Sequence, residues 1–213
     1  MDINITKPLA LLKGEPGYVM NLLENMIPLS SLWLNSVQKK ILKIKPIPDW
    51  LKSSKDPLQL IHYNISGGLK RRLEILSNIS GIISELHSMG LTYGDLSDNN
   101  IFISSNVKES EVWLIDPDNI SFYNNNNKKA VFTPKYGSPE IVQNKSGSSF
   151  YSDCYSFAII AYWILSLNHP FIGDYVVEEG ICDWADESEE EDLEEKAYGG
   201  LLPWINDSKD DLN

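Results

Sequence analysis

The chain has 213 residues and a formal net charge of −12, from 30 acidic and 18 basic side chains. With 42% apolar and 23% charged residues it has the length and composition of one globular domain, not of a disordered chain. The acidic balance disfavours a nucleic-acid or anionic-membrane partner, because phosphate surfaces reward clustered Lys and Arg. In chain order, 8–12, 13–17 and 18–23 read as strand, tight turn and strand. Residues 29–44 carry apolar side chains near helical spacing and are closed by Pro46 and Pro48. The clearest amphipathic helix is 69–89, where Leu73, Leu76, Ile79, Ile83 and Leu86 recur at threes and fours before Gly90 stops it. Two short β-rich runs follow at 100–104 and 111–115, then a loop at 121–129 with four consecutive asparagines. A second helix, 153–167, is apolar nearly all round and is expected to be central. From 183 to 195 nine of thirteen residues are acidic, which reads as a solvated loop.

Cys154 and Cys182 are too few for a disulfide framework and have no His or third Cys at zinc spacing, so reduced thiols and a cytoplasmic setting are expected. No basic stretch precedes an apolar run at the N-terminus, and the longest strongly apolar stretch, 157–167, is short of the roughly 20 residues a membrane helix needs. The chain therefore reads as soluble, with no membrane partner.

The chemistry concentrates in Gly90-Leu91-Thr92-Tyr93-Gly94-Asp95-Leu96-Ser97-Asp98-Asn99-Asn100, between the long helix and the first β-rich run, and in Ile115-Asp116-Pro117-Asp118 after the second run. Two acids and an amide (Asp95, Asn100 and Asp116) can serve as a general base and as hard oxygen ligands for Mg²⁺, which takes its remaining ligands from water and phosphate. Taken alone, Asp-x-x-x-x-Asn is weak, since acids and amides are common in turns. Three later signals come in order: Thr133-Pro134-Lys135-Tyr136-Gly137-Ser138-Pro139-Glu140, Ser152-Asp153 opening the apolar helix, and His169-Pro170-Phe171.

This series resembles the C-lobe of a eukaryotic-type protein kinase of the bacterial kinase-like branch. Tyr93-Gly94-Asp95 is similar to the catalytic-loop HRD with Asn100 as that loop's asparagine, Asp116-Pro117-Asp118 to DFG, and Ser138-Pro139-Glu140 to APE. Gly17 to Leu23 resembles the strand and hinge that hold adenine. The resemblance implies an α+β, protein-kinase-like fold: a mainly helical C-lobe with a few short strands and a remnant of the N-lobe sheet. It implies one partial domain over 1–213, divided into N-lobe remnant and hinge (1–23), C-lobe (24–182), and acidic loop and tail (183–213).

By the same resemblance the function is transfer of the ATP γ-phosphate to a protein Ser/Thr hydroxyl. Asp95 is the implied base, and Asn100 and Asp116 hold Mg²⁺. Met20 is the gatekeeper, and Asn21, Leu22 and Leu23 supply hinge backbone to ATP. Glu140 and Asp153 are implied to be structural, the latter as a buried acid bonding the catalytic-loop backbone. Gly94 in place of arginine leans towards small-molecule kinases related to aminoglycoside phosphotransferases, whereas Gly137-Ser138-Pro139-Glu140 and Ser152-Asp153 lean towards protein kinases.

No Gly-x-Gly-x-x-Gly occurs in the chain, few residues precede Gly17, and Arg71 and Arg72 are its only arginines. The expectation is a kinase domain truncated in its N-lobe and at its C-terminal end. Two further functions follow: a non-catalytic pseudokinase or scaffold, or a split-kinase fragment. The expected partners are a protein substrate or regulatory protein, and a chain supplying the missing N-lobe.

Overall fold

In the computed structural model, residues 3–43, 46–123, 130–173, 187–205 and 207 are described. They fall into two compact units: residues 1–82 with 98–117, and residues 83–97 with 118–213.

In the first unit, Pro8–Leu11 (β1) and Tyr18–Met20 (β2) pair as an antiparallel hairpin across the Gly14–Gly17 turn, as the strand–turn–strand pattern predicts. A three-stranded antiparallel sheet is built from Met26–Pro28 (β3), Ile101–Ser104 (β5) and Val112–Leu114 (β6), in the order β3-β5-β6. Ile101, Ile103, Val112 and Leu114 alternate inward and are at most 1% exposed. The chain just before β1 joins this sheet: Ile5 bridges Leu114 in parallel, and the Thr6 amide donates to the Leu114 carbonyl at 2.9 Å.

The expected helix over 29–44 is broken in two. Leu29–Leu32 is a 3-10 turn, and Ser36–Leu42 (α1) starts anew because Asn35 and Gln38 form a reciprocal capping box, with bonds of 2.9 and 3.0 Å. Ile44 lies outside the described residues. Pro57–Ile65 (α2) has no counterpart in the sequence reading, although Asp56 accepting from the Gln59 amide at 3.1 Å and Pro57 at the first position are ordinary start signals.

The long helix appears at Gly68–Ser88 (α3), and four of the five expected inward residues, Leu76, Ile79, Ile83 and Leu86, are buried. Leu73 is 50% exposed, and the covered stripe runs through Arg72, Ile75, Leu76, Ile79 and Ile83. Arg72 is fully buried, spreads over the Tyr63 ring at 3.8 Å and donates to the carbonyls of Tyr63 and Gly68. The inward stripe thus starts at an arginine, which turns Leu73 outward.

In the second unit, Gly90 at φ +74° ends α3, as expected. Leu91–Thr92 (β4) pairs antiparallel with Ser121–Phe122 (β7), so the expected loop over 121–129 begins as a short strand. Residues 124–129, the asparagine run among them, lie outside the described residues. Pro139–Val142 (α4) is a single turn behind Ser138. The apolar helix spans Phe150–Ser166 (α5) and starts three residues earlier than expected, because Ser149 and Ser152 form a second capping box. Ile159, Ile160 and Ile164 are its buried contribution.

The acidic run does not remain a loop: Glu187–Tyr198 (α6) is a helix. Its C-terminal end is anchored by Ala197 and Tyr198, both buried, with Tyr198 edge-on to His169 at 5.5 Å. The Gln143 side chain donates to the Gly199 carbonyl just beyond it. Residues 183–186 and Cys182 lie outside the described residues, while Cys154 is exposed. Among the described residues no helix is long and apolar enough to cross a membrane.

Candidate functional site

Met20, Asn21, Leu22 and Leu23, at and just beyond the end of β2, line one side of a pocket of about 410 Å³ in the first unit. Thr6, Tyr18, Phe102, Ile115 and Asp116 complete its mainly apolar wall. All five residues that the sequence assigns to ATP therefore meet around one cavity. A cavity of this size, mostly apolar with a few polar groups, has the dimensions of a small-molecule site.

Asn100 stands next to this assembly through the β5–β6 ladder. Ile101 pairs with Leu114, so Asn100 faces Ile115 across the strands, and the Ile115 amide donates to the Asn100 carbonyl at 2.9 Å. Asn100 and Asp116 thus leave the same end of one ladder. Asp116 adopts a left-handed backbone at φ +56°, and Pro117–Asn119 follows as a 3-10 turn. A non-glycine residue in that region costs of order 1–3 kcal/mol, and such strain collects where a side chain must be aimed.

Among the described residues no three His, Cys, Asp or Glu side chains cluster at metal-ligand spacing. A cation here would take one carboxylate and one amide from the chain. The rest of its shell would come from phosphate and water oxygens, which is the habit of Mg²⁺. The donor set therefore fits Mg²⁺ bound together with a nucleotide.

Asp95 belongs to the second unit. Its Oδ1 accepts from both the main-chain amide and the hydroxyl of Thr133, at 2.8 and 2.9 Å. The loop that carries it is fixed by Asp153 near the start of α5, 1% exposed. Asp153 Oδ2 accepts from the Tyr93 amide at 2.7 Å, and Oδ1 from the Gly94 amide at 2.9 Å. His87, in the last turn of α3, meets Asp153 Oδ2 through Nε2 at 3.0 Å and packs against Phe150. Sequence reasoning assigned no role to His87 or Thr133. The signal for Thr133 was its place at the head of the Thr-Pro-Lys-Tyr-Gly-Ser-Pro-Glu run, and for His87 its place at the helix end just ahead of the loop.

Gly94 has φ +90°, and a Cβ built on it would lie 3.0 Å from the Asn119 carbonyl oxygen and 3.3 Å from Ser148 Oγ. Both the backbone region and the space exclude a side chain. Gly94→Ala is expected to lower stability by about 1–3 kcal/mol, read as a fall in the denaturation midpoint. An unchanged midpoint would show that the loop relaxes freely at this position.

Glu140 is half-buried, and its charge, after burial, helps push the Tyr155 phenol up to about 12. Burial also holds the His169 imidazole down at about 4, so it is neutral at pH 7. As a neutral ring it bridges the Lys135 carbonyl through Nε2 and accepts the Phe171 amide through Nδ1.

The family model described as "Protein kinase domain" matches residues 55–197. Relatives include the human cGMP-dependent protein kinase 2, 33% identical over 90 residues that make up 41% of this chain and 11% of that protein. The Myxococcus xanthus serine/threonine-protein kinase pkn2 is 30% identical over 111 residues, covering 48% of this chain and 13% of that protein. The Arabidopsis thaliana calcium-dependent protein kinase 2 is 28% identical over 151 residues, 67% of this chain and 21% of that protein. The chain spans less than a quarter of the length of each of these relatives. The matched segment contains the Asp95 loop, Asn100, Asp116, Glu140 and Asp153, its helices and short strands are those of an α+β fold, and the chain belongs to the protein kinase domain family.

Proposed function

We propose that this chain binds Mg·ATP in the pocket lined by Met20, Asn21, Leu22, Leu23 and Asp116, and transfers the γ-phosphate to a Ser or Thr hydroxyl of a protein. The observation that carries this reading is the convergence of those five residues on one cavity of about 410 Å³. The main chain of residues 21–23, which lies outside any strand, is suited to the polar edge of a base, and the apolar wall to its faces. Asp116 and Asn100 provide the oxygen donors for magnesium, whose part is to neutralise phosphate charge. In the transfer, the hydroxyl oxygen bonds to the γ-phosphorus as that atom's bond to the β–γ bridging oxygen breaks. ADP departs, and Asp95 takes the hydroxyl proton, with Thr133 holding its carboxylate in one orientation.

A second reading is a scaffold that binds nucleotide or a partner protein without transfer. Among this chain's own 213 residues no Gly-x-Gly-x-x-Gly is available to cradle the phosphates, which favours this reading for the chain taken by itself.

Thermal unfolding with and without Mg·ATP tests the site. Nucleotide at 100 times its dissociation constant adds about 2.7 kcal/mol, a rise of roughly 5–10 °C for a chain of this size. Asp116→Ala is expected to abolish the rise. Absence of a shift in the unaltered chain would sink the nucleotide site. Asp95→Asn then separates the readings: a catalyst keeps the shift and loses phosphate transfer, whereas a scaffold shows the shift and no transfer in either form.

A further inference from the structure

Thr6 is 5% exposed, lines the pocket, and has a buried hydroxyl oxygen with no hydrogen-bond partner among the described residues. The main chain fixes its place. Its amide donates to the Leu114 carbonyl, one residue before Ile115, and Pro8, two residues on, pairs with Met20. Thr6 therefore joins the strand that leads into Ile115 to the hairpin that carries Met20.

A buried hydroxyl without a partner is costly, and a valine of nearly the same shape would avoid that cost. The sliver of Thr6 that remains exposed belongs to its other atoms, since the oxygen is closed to water. Rotation about χ1 by one staggered well can carry the hydroxyl to the position of the methyl, the methyl moving to that of the Cβ hydrogen, without moving the backbone.

We propose, resting on the nucleotide reading of this pocket, that Thr6 is a specificity residue: its hydroxyl turns into the cavity and hydrogen-bonds a polar atom of the nucleotide base, a ring nitrogen or an exocyclic group. The hydroxyl can donate or accept, so it recognises a polar base edge as such and rejects a purely apolar group at that position. A base edge hydrogen-bonded to the turned hydroxyl supplies the partner that it lacks among the described residues.

Thr6→Val and Thr6→Ser provide the test, with Mg·ATP as the probe in calorimetric titration and thermal unfolding. Valine removes the hydroxyl and keeps the shape. It is expected to weaken Mg·ATP about tenfold, while the ligand-free variant melts at or up to about 4 °C above the parent chain. Serine keeps the hydroxyl and is expected to bind within about threefold of the parent. If Thr6→Val binds Mg·ATP as the parent does, the specificity role is overturned and the nucleotide site stands. If ligand-free Thr6→Val melts several degrees lower, the hydroxyl serves the fold and the proposal is overturned whatever the affinity. A parent chain with no affinity for Mg·ATP overturns the nucleotide site and this role together.

Discussion

Asp153→Ala is expected to destabilise the chain by about 3–5 kcal/mol, the cost of removing a buried carboxylate and leaving its hydrogen-bond donors unsatisfied. For this size that is a fall in the melting midpoint of roughly 10 °C. The carboxylate is 1% exposed and takes three donors: the Tyr93 amide, the Gly94 amide and His87 Nε2. Removing it strands two main-chain N–H groups inside the protein, and no side-chain shift can satisfy both. Asp153→Asn keeps one acceptor oxygen and turns the other into a donor facing the amide of Tyr93 or Gly94, so a smaller loss is expected. Amide hydrogen exchange at 93 and 94 separates a local from a general effect. The two protons should exchange much faster in Asp153→Ala, even under conditions where α5 stays protected. Protection at 93 and 94 equal to that of the parent chain would show that the loop is held by something else.

The same carboxylate connects the fold to the proposed chemistry. Asp153 holds the peptide units immediately before Asp95, and Thr133 holds the Asp95 side chain itself. Orientation of the candidate base is thus set from both sides by groups that do not react. Gly94 makes this packing possible, because its missing side chain lets the Asn119 carbonyl approach within what would be 3.0 Å of a Cβ.

What the sequence made legible follows from which signals are local. The β1–β2 hairpin, α3 and α5 were visible because turn residues and apolar spacing are written in consecutive positions. The motif order also groups Met20 to Leu23 with Asp116, and these five residues line one cavity. The breaks were harder to see. Residues 29–44 look helical by apolar spacing, yet Asn35 and Gln38 satisfy the start of a new helix, and a capping box outweighs a weak period. Leu73 has the right spacing to be inside, and only the tertiary use of Arg72 shows that it is not. The acids of α6 look like a solvated loop until Ala197 and Tyr198 are seen to anchor the helix end. Thr6 carries no local signal whatever, since its significance is a cavity formed by residues far away in sequence.

Arg72→Met is expected to cost about 3 kcal/mol or more, a fall of roughly 6–12 °C, although methionine fits a buried helix position well. The guanidinium is fully buried. Its Nη1 donates to the Tyr63 and Gly68 carbonyls and its Nη2 to Ser66 Oγ, while its face covers the Tyr63 ring. It ties the end of α2 to the start of α3 at a junction where helix carbonyls would otherwise lose partners. Burial lowers its pKa to about 10, which still leaves it charged at pH 7. Arg72→Lys tests whether charge or shape matters. One ammonium cannot span these acceptors or stack on the ring, so lysine is expected to be no better than methionine. His62 gives a second readout, since burial and then the Arg72 charge hold its imidazole below the usual value. In Arg72→Met the burial remains and the charge is gone, so the His62 pKa should rise part of the way back, measurable by NMR titration. A lysine variant as stable as the parent chain would show that a positive charge alone suffices at this junction.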